Sequence, residues 1–272
     1  MPRDYEAEYN NRARVPQHPQ IMGGWGRDAA TYRAEKPPVE VAYGSGGRER
    51  FDLFEAGDGP VVLFIHGGYW QALDKSVFSH MARGLNGRGI SVAVTSYDLC
   101  PNVPLDRIVG QMRQASRTLY ERSGKSIVVA GHSAGGHLAA CLLATDWAMI
   151  DPGLPKQVAR SAYAISGLFD LEPLVGTSVN GALKLIPREA RRLSPLHWKA
   201  KPGTTLDAIV GGAESYEYHR QSETIAQTWA AQGVSTRYET VPDANHFTVI
   251  APLADPNSAM VGRIAEMVEK ED

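Results

Sequence analysis

The sequence predicts a doubly wound α/β architecture, a mostly parallel sheet with helices on both faces, and three observations predict it. Five short runs carry almost no polar interruption: VVLFIH (61–66), SVAVTSY (91–97), SIVVAGH (126–132), SAYAIS (161–166) and LDAIVGG (206–212). Side chains of a strand alternate between the two faces of its sheet, so a run apolar throughout is buried on both, as in a parallel sheet under helices. Between these runs apolar residues recur at three- and four-residue steps, so strand and helix patterns alternate. Finally, 272 residues with 43% hydrophobic content fit one large core better than two small ones, and a single domain over 1–272 is expected.

Taken in order, residues 1–38 are rich in Arg, Pro, Gly and Tyr without a sustained apolar period, and read as an N-terminal arm over the domain surface, pinned by Trp25. VEVAY and RERFDLFE then alternate apolar and polar residues about the GSGG turn, the pattern of an antiparallel hairpin with one solvated face. Leu105, Ile108, Val109, Met112, Ala115 and Leu119 mark an amphipathic helix that stops at RSGK, where a glycine serves as C-terminal cap. Similar spacing predicts helices over about 75–86, 136–147, 217–232 and 256–269. Residues 170–200 break the alternation and read as a short helical cap insertion over the site. No internal repeat or low-complexity tract occurs.

Composition removes several classes of function. A formal net charge of -2 gives no electrostatic reason to expect nucleic acid or an anionic membrane as partner. Cys100 and Cys141 are too few for a disulfide framework and have no metal-ligand spacing, which suits a reducing cytoplasm. The opening MPRDYEAEYNNRARVP has no apolar core of a signal peptide, and no run of eighteen apolar residues occurs, so neither secretion nor membrane spanning is expected.

The chemistry concentrates in a few stretches. In VVAGHSAGGHLAA, Gly131, Ser133 and Gly135 form G-x-S-x-G directly after a strand pattern and before a helix, the context of a nucleophile elbow. Such a turn presents the Ser133 hydroxyl at a helix N-terminus, whose amides favour developing negative charge. A serine hydroxyl needs a general base. Of the four histidines after it, His137 belongs to the following helix, His197 to the cap and His219 to a helix surface, whereas His246 follows the last strand pattern, STRYETV, where the fold order of serine, acid, histidine puts the base. The acid that orients the imidazole is expected on the preceding strand-to-helix loop. There Glu214 is nearest the strand end, while Glu217 lies in the next helix facing solvent; Asp170 is the rival, and Asp243 stands very close to His246 in sequence. In FIHGGYW, two glycines let the backbone approach a substrate without a Cβ, so the N–H groups of Gly68 and Tyr69, with that of Ala134, are the expected oxyanion hole and His66 the loop's support. Tyr69, Trp70, Trp25 and Phe247 are candidate contacts for an aromatic substrate, with core packing as the alternative for each.

HGGYW, YDLCPNVPL, GHSAGGHLAA, SGLFDLEPL and RQS, in this order, resemble the kynurenine formamidase (arylformamidase) group of α/β-hydrolases, itself similar to hormone-sensitive-lipase-like esterases. The resemblance covers about residues 39–250, with YNNRARVP as a lead-in. It implies Ser133 as nucleophile, His246 as base, Glu214 as acid, and the HGGYW loop as oxyanion hole. One departure is Glu214 itself, since the group's usual acid there is aspartate. The implied reaction is hydrolysis of an N-formyl group from an aromatic amine such as N-formylkynurenine, with no metal or organic cofactor. A small-acyl or aryl carboxylesterase is the alternative, and a non-catalytic binding module a third reading of another class. The implied partner is a small, aromatic molecule; a homodimer is one arrangement the chain allows.

Overall fold

The computed structural model describes residues 3–59 and 61–270, so the first two residues of the arm lie outside the described residues. Eight strands form one sheet: β1 Val39–Ala42, β2 Arg50–Phe54, β3 Val62–Ile65, β4 Val92–Thr95, β5 Ile127–His132, β6 Ala159–Ile165, β7 Thr205–Gly211 and β8 Ser235–Val241, in the order β1-β2-β4-β3-β5-β6-β7-β8. β1 and β2 pair antiparallel with each other, and β2 antiparallel with β4; every pairing from β4 to β8 is parallel. β3, β4 and β5 are buried at every position, as their uninterrupted apolar runs require, whereas β8, polar at most positions, closes the far edge and is buried at none.

The helices are α1 Tyr5–Tyr9, α2 Asn11–Arg14, α3 His18–Glu35, α4 Arg83–Asn86, α5 Leu105–Ser123, α6 Ala134–Leu143, α7 Trp147–Ile150, α8 Asn180–Leu183, α9 Pro187–Arg192, α10 Tyr216–Ala230 and α11 Ala259–Glu269. Two apolar layers sandwich the sheet. One gathers Ile108 and Met112 of α5, Leu138 of α6 and Ile225 and Trp229 of α10. The other gathers Trp25 and Tyr32 of α3, Leu85 of α4 and Ile264 and Val268 of α11. None of the described helices is long and apolar enough to cross a membrane.

Two departures from the sequence reading concern helices, at the N-terminal arm and at residues 75–86. The N-terminal arm is helical, and α3 is a structural layer of the second face. Only Trp25, Ala29 and Tyr32 of its eighteen residues are buried, and the GGWG stretch masks even that short stripe. Polar bonds complete the attachment: Arg33 pairs with the buried Asp52 of β2, which also accepts from Lys75 Nζ at 2.9 Å. Residues 75–86 are two 3₁₀ turns followed by the one-turn α4, because Asp74 caps the Ser76 N–H and Lys75 is drawn inward to Asp52. Residues 170–200 form short helical pieces whose Leu171, Leu174, Leu183, Leu185 and Leu193 face the main core; of this segment only Ser178 and Val179 reach the pocket described below.

Candidate active site

The turn from β5 to α6 forces its middle residue into an unusual backbone. Ser133 has φ 57° and ψ −117°, a region that non-glycine residues occupy only when the surroundings impose it. The imposition is visible on both sides. A Cβ on Gly131 would lie 2.1 Å from the Gly135 carbonyl oxygen, and one on Gly135 2.0 Å from that of Ile65, so the two glycines permit an approach that no side chain could share. The Ser133 N–H donates to the Ile165 carbonyl at 2.8 Å, which ties the turn to β6.

Two loops at the same end of the sheet complete the group. His246, after β8, places Nε2 3.1 Å from Ser133 Oγ, and its Nδ1 lies 2.6 Å from Glu214 Oε2, after β7. A carboxylate oxygen can only accept, so Nδ1 carries the proton and the Nε2 lone pair faces the serine hydroxyl. Glu214 is itself fixed: Oε1 accepts from Ser166 Oγ at 2.5 Å and from the Gly211 N–H at 2.8 Å, and its side chain is fully buried. The rings of Tyr218 and His132 pack on the imidazole of His246 at 4.6 and 4.8 Å. His132 donates Nε2–H to the His246 carbonyl at 2.9 Å, holding the loop, and burial keeps it neutral by lowering its pKa well below the ordinary histidine value.

Facing Ser133 is the loop after β3. Gly68 has φ 109°, Tyr69 φ 51° and Trp70 φ 57°, and the Gly68 carbonyl accepts from the N–H groups of Gln71 and Ala72, so the chain doubles back tightly. The N–H groups of Gly68, Tyr69 and Ala134 donate to none of the described residues. His66 lies beneath the loop between the rings of Tyr97 and Phe78, at 4.4 and 5.5 Å, and donates Nδ1–H to the Gly67 carbonyl at 2.7 Å. Burial pushes its pKa down to about 4.

Ser133 and His246 open onto a pocket of about 330 Å³. Met22, Trp25, Phe78 and Phe247 make an apolar wall, while Glu6, Asn11 and Arg12 supply polar groups from the N-terminal helices. Of the candidate aromatic contacts, Tyr69, Trp25 and Phe247 line this space. Trp70 does not: it is fully buried beneath the loop, edge-on to His137 with ring centroids 5.0 Å apart. Its large apolar surface is satisfied in the core, which corrects its place among the substrate contacts. Glu217 also departs from the reading. Far from facing solvent, it is buried and accepts from Arg3 at 2.5 Å, Tyr9 Oη at 2.9 Å and Arg220 Nη2 at 2.8 Å. Asp170 turns toward Arg220, 3.4 Å away, and not toward His246. Sequence reasoning missed Tyr9, Asn11, Met22 and Phe78 in the pocket wall and Ser166 behind Glu214. The polar YNN stretch that holds two of them carried no apolar or catalytic signal of its own.

A mostly parallel sheet with a serine on the strand-to-helix turn beside a histidine and a carboxylate defines the α/β-hydrolase class. The model of the alpha/beta hydrolase fold family matches residues 62–250. The chain belongs to that family and, within it, to the kynurenine formamidases: it is 31% identical over 243 residues to the kynurenine formamidase of Danio rerio, covering 85% of this chain and 82% of that one. Among solved structures, a protein of Silicibacter sp. tm1040, provisionally named a thioesterase, is 34% identical with a TM-score of 0.87, covering 97% of this chain and all of that one. An esterase of the bacterial hormone-sensitive lipase family shares the fold at 21% identity and a TM-score of 0.68, over 94% and 98% of the two chains. The protein is therefore a hydrolase enzyme of this class.

Proposed function

We propose that the chain hydrolyses the N-formyl group of an aryl amine, of the N-formylkynurenine type, through a formyl-serine intermediate on Ser133. The observation that carries this reading is the Glu214–His246–Ser133 relay at the floor of a pocket with an aromatic wall, in a chain related along most of its length to kynurenine formamidases. In the reaction so derived, Ser133 Oγ attacks the formyl carbon as its proton passes to His246 Nε2, and the imidazolium is stabilised by Glu214. The carbonyl oxygen becomes an oxyanion held by the N–H groups of Gly68, Tyr69 and Ala134; removing one such donor costs about 3 kcal/mol in comparable sites. Collapse breaks the C–N bond, and His246 gives the proton to the leaving nitrogen. Water then attacks the formyl-serine with His246 as base, releasing formate and restoring the hydroxyl. Gly67 lets the loop after β3 lie against the nucleophile turn: a Cβ there would come within 3.0 Å of both the His132 carbonyl oxygen and Ser133 Cβ.

A second reading, a carboxylesterase for small-acyl or aryl esters, is favoured by the Silicibacter neighbour, whose provisional name is that of a thioester hydrolase. The same attack serves both bonds. Measuring kcat/KM for N-formylkynurenine beside short-chain aryl esters separates them, with Ser133→Ala as control. We expect turnover of the formamide and a loss of at least about 10³-fold in kcat on Ser133→Ala. Ester turnover with the formamide untouched would remove the formamidase reading and leave the serine mechanism; full activity in Ser133→Ala would remove both.

A further inference from the structure

Four polar groups behind the loop after β3 form a chain whose donor directions are fixed by counting protons. Tyr69 Oη lies 2.6 Å from the Tyr9 carbonyl, which can only accept, so Tyr69 spends its one hydroxyl proton there. The 2.8 Å contact between the hydroxyls of Tyr218 and Tyr69 must then be donated by Tyr218. Both oxygens are left as acceptors, and Asn11 Nδ2 donates to both, at 2.8 Å to Tyr218 and 3.3 Å to Tyr69. Asn11 is 6% exposed and comes from the N-terminal helices, more than fifty residues from the nearest of these partners.

Each end of this chain reaches the reacting atoms by a different route. Tyr69 belongs to the turn that carries two of the three unbonded N–H donors, has φ 51° there, and is anchored by its hydroxyl on the Tyr9 carbonyl. Tyr218 lays its ring on the imidazole of His246 at 4.6 Å. The N-terminal segment that brings Asn11 is itself clamped: Arg3 and Tyr9 bond the buried Glu217, Glu8 accepts the Glu217 N–H at 3.1 Å and so caps α10, and Glu6 accepts from the N–H and hydroxyl of Ser178, each at 2.7 Å.

We propose that Asn11 is a positioning residue of the active site, which through the Tyr218–Tyr69 pair sets the oxyanion turn and the face of His246 as one unit. This rests on the serine-hydrolase reading of the same site. The N-terminal helices are thereby part of the catalytic apparatus and not only a wall of the pocket. Fixing both groups matters in the transition state, where a misplacement on the order of 1 Å costs about 100-fold.

The test compares wild type, Asn11→Leu, Tyr218→Phe and the double variant on a short-chain aryl ester, too small to depend on contacts with the N-terminal helices, with thermal unfolding measured on each. Tyr218→Phe keeps the ring on His246 and removes only the hydroxyl, so it remains informative if Asn11→Leu folds poorly. We expect kcat to fall about tenfold or more in each single variant with KM within about threefold, and the double variant to lose little more than either, as members of one unit do. Unchanged kcat per folded molecule in either single variant, or losses that multiply fully in the double variant, overturns the proposal. Ser133→Ala in the same assay keeps the two readings apart: if it is inactive while Asn11→Leu and Tyr218→Phe retain full kcat, only the role of Asn11 falls.

Discussion

Glu214 uses both carboxylate oxygens, one on His246 and the other on Ser166 and Gly211, so its geometry is fixed from two sides. In a Glu214→Gln variant the oxygen keeps the Ser166 and Gly211 bonds and the amide NH₂ turns to His246, which must then accept on Nδ1. The imidazole proton moves to Nε2, facing Ser133, and the base is lost. We expect kcat to fall by about 10³-fold with KM little changed; a wild-type rate would move the acid elsewhere, with Asp170 the first position to test. At this scale legibility depended on context. Ser133 and His246 stood out because their flanking patterns, glycines on a strand-to-helix junction and a loop after the last strand, are local. Trp70 and Glu217 misled because burial is decided by partners far away: His137 for the one, Arg3 and Tyr9 for the other.

Elements obey the same division. The junction of β5 and α6 depends on a contact between backbones, so Gly135→Ala drives a Cβ against the Ile65 carbonyl, which cannot move without breaking β3. We expect a loss of more than about 3 kcal/mol, read as a collapse of soluble yield and unfolding temperature. Gly110, inside α5, meets nothing within 4 Å of an added Cβ, and Gly110→Ala is expected to raise stability by about 0.5–1 kcal/mol in the same measurement. The core strands were legible because two-sided burial writes itself into every residue of a run. α3 was not, since its short stripe of Trp25, Ala29 and Tyr32 is interrupted by glycines and its attachment is carried by Arg33 on Asp52.

For the whole molecule, several histidines are enclosed as neutral rings. His66 and His137 are fully buried, and burial holds both pKa values down to about 4. As pH falls below about 6.5 the unfolded chain binds a proton on each while the folded chain does not until about 4, so stability is full above that window and declines across it. Thermal unfolding at intervals between pH 7 and 4 should show this fall, and His137→Gln should flatten it; an unfolding temperature independent of pH through the window would contradict the assignment. The same packing explains why the molecule closes as it does. Two apolar layers hold the sheet, and the N-terminal helices bridge from one layer to the pocket mouth over the loops that carry Ser133, Glu214 and His246.

By itself the sequence determined the alternation of strands and helices, the strand-to-helix serine, the candidate histidine and acid in their chain order, and the glycine-rich turn with free backbone donors. All of these follow from short-range constraints: side-chain period, glycine where backbones touch, and loop position. Only the tertiary structure decided that Trp70 belongs to the core, that Glu217 is a buried clamp, and that Asn11 bonds the hydroxyls of Tyr69 and Tyr218. The last two hang on hydrogen bonds between residues up to 214 positions apart and the first on packing against a distant ring, and no local pattern records which distant partner a buried side chain will meet.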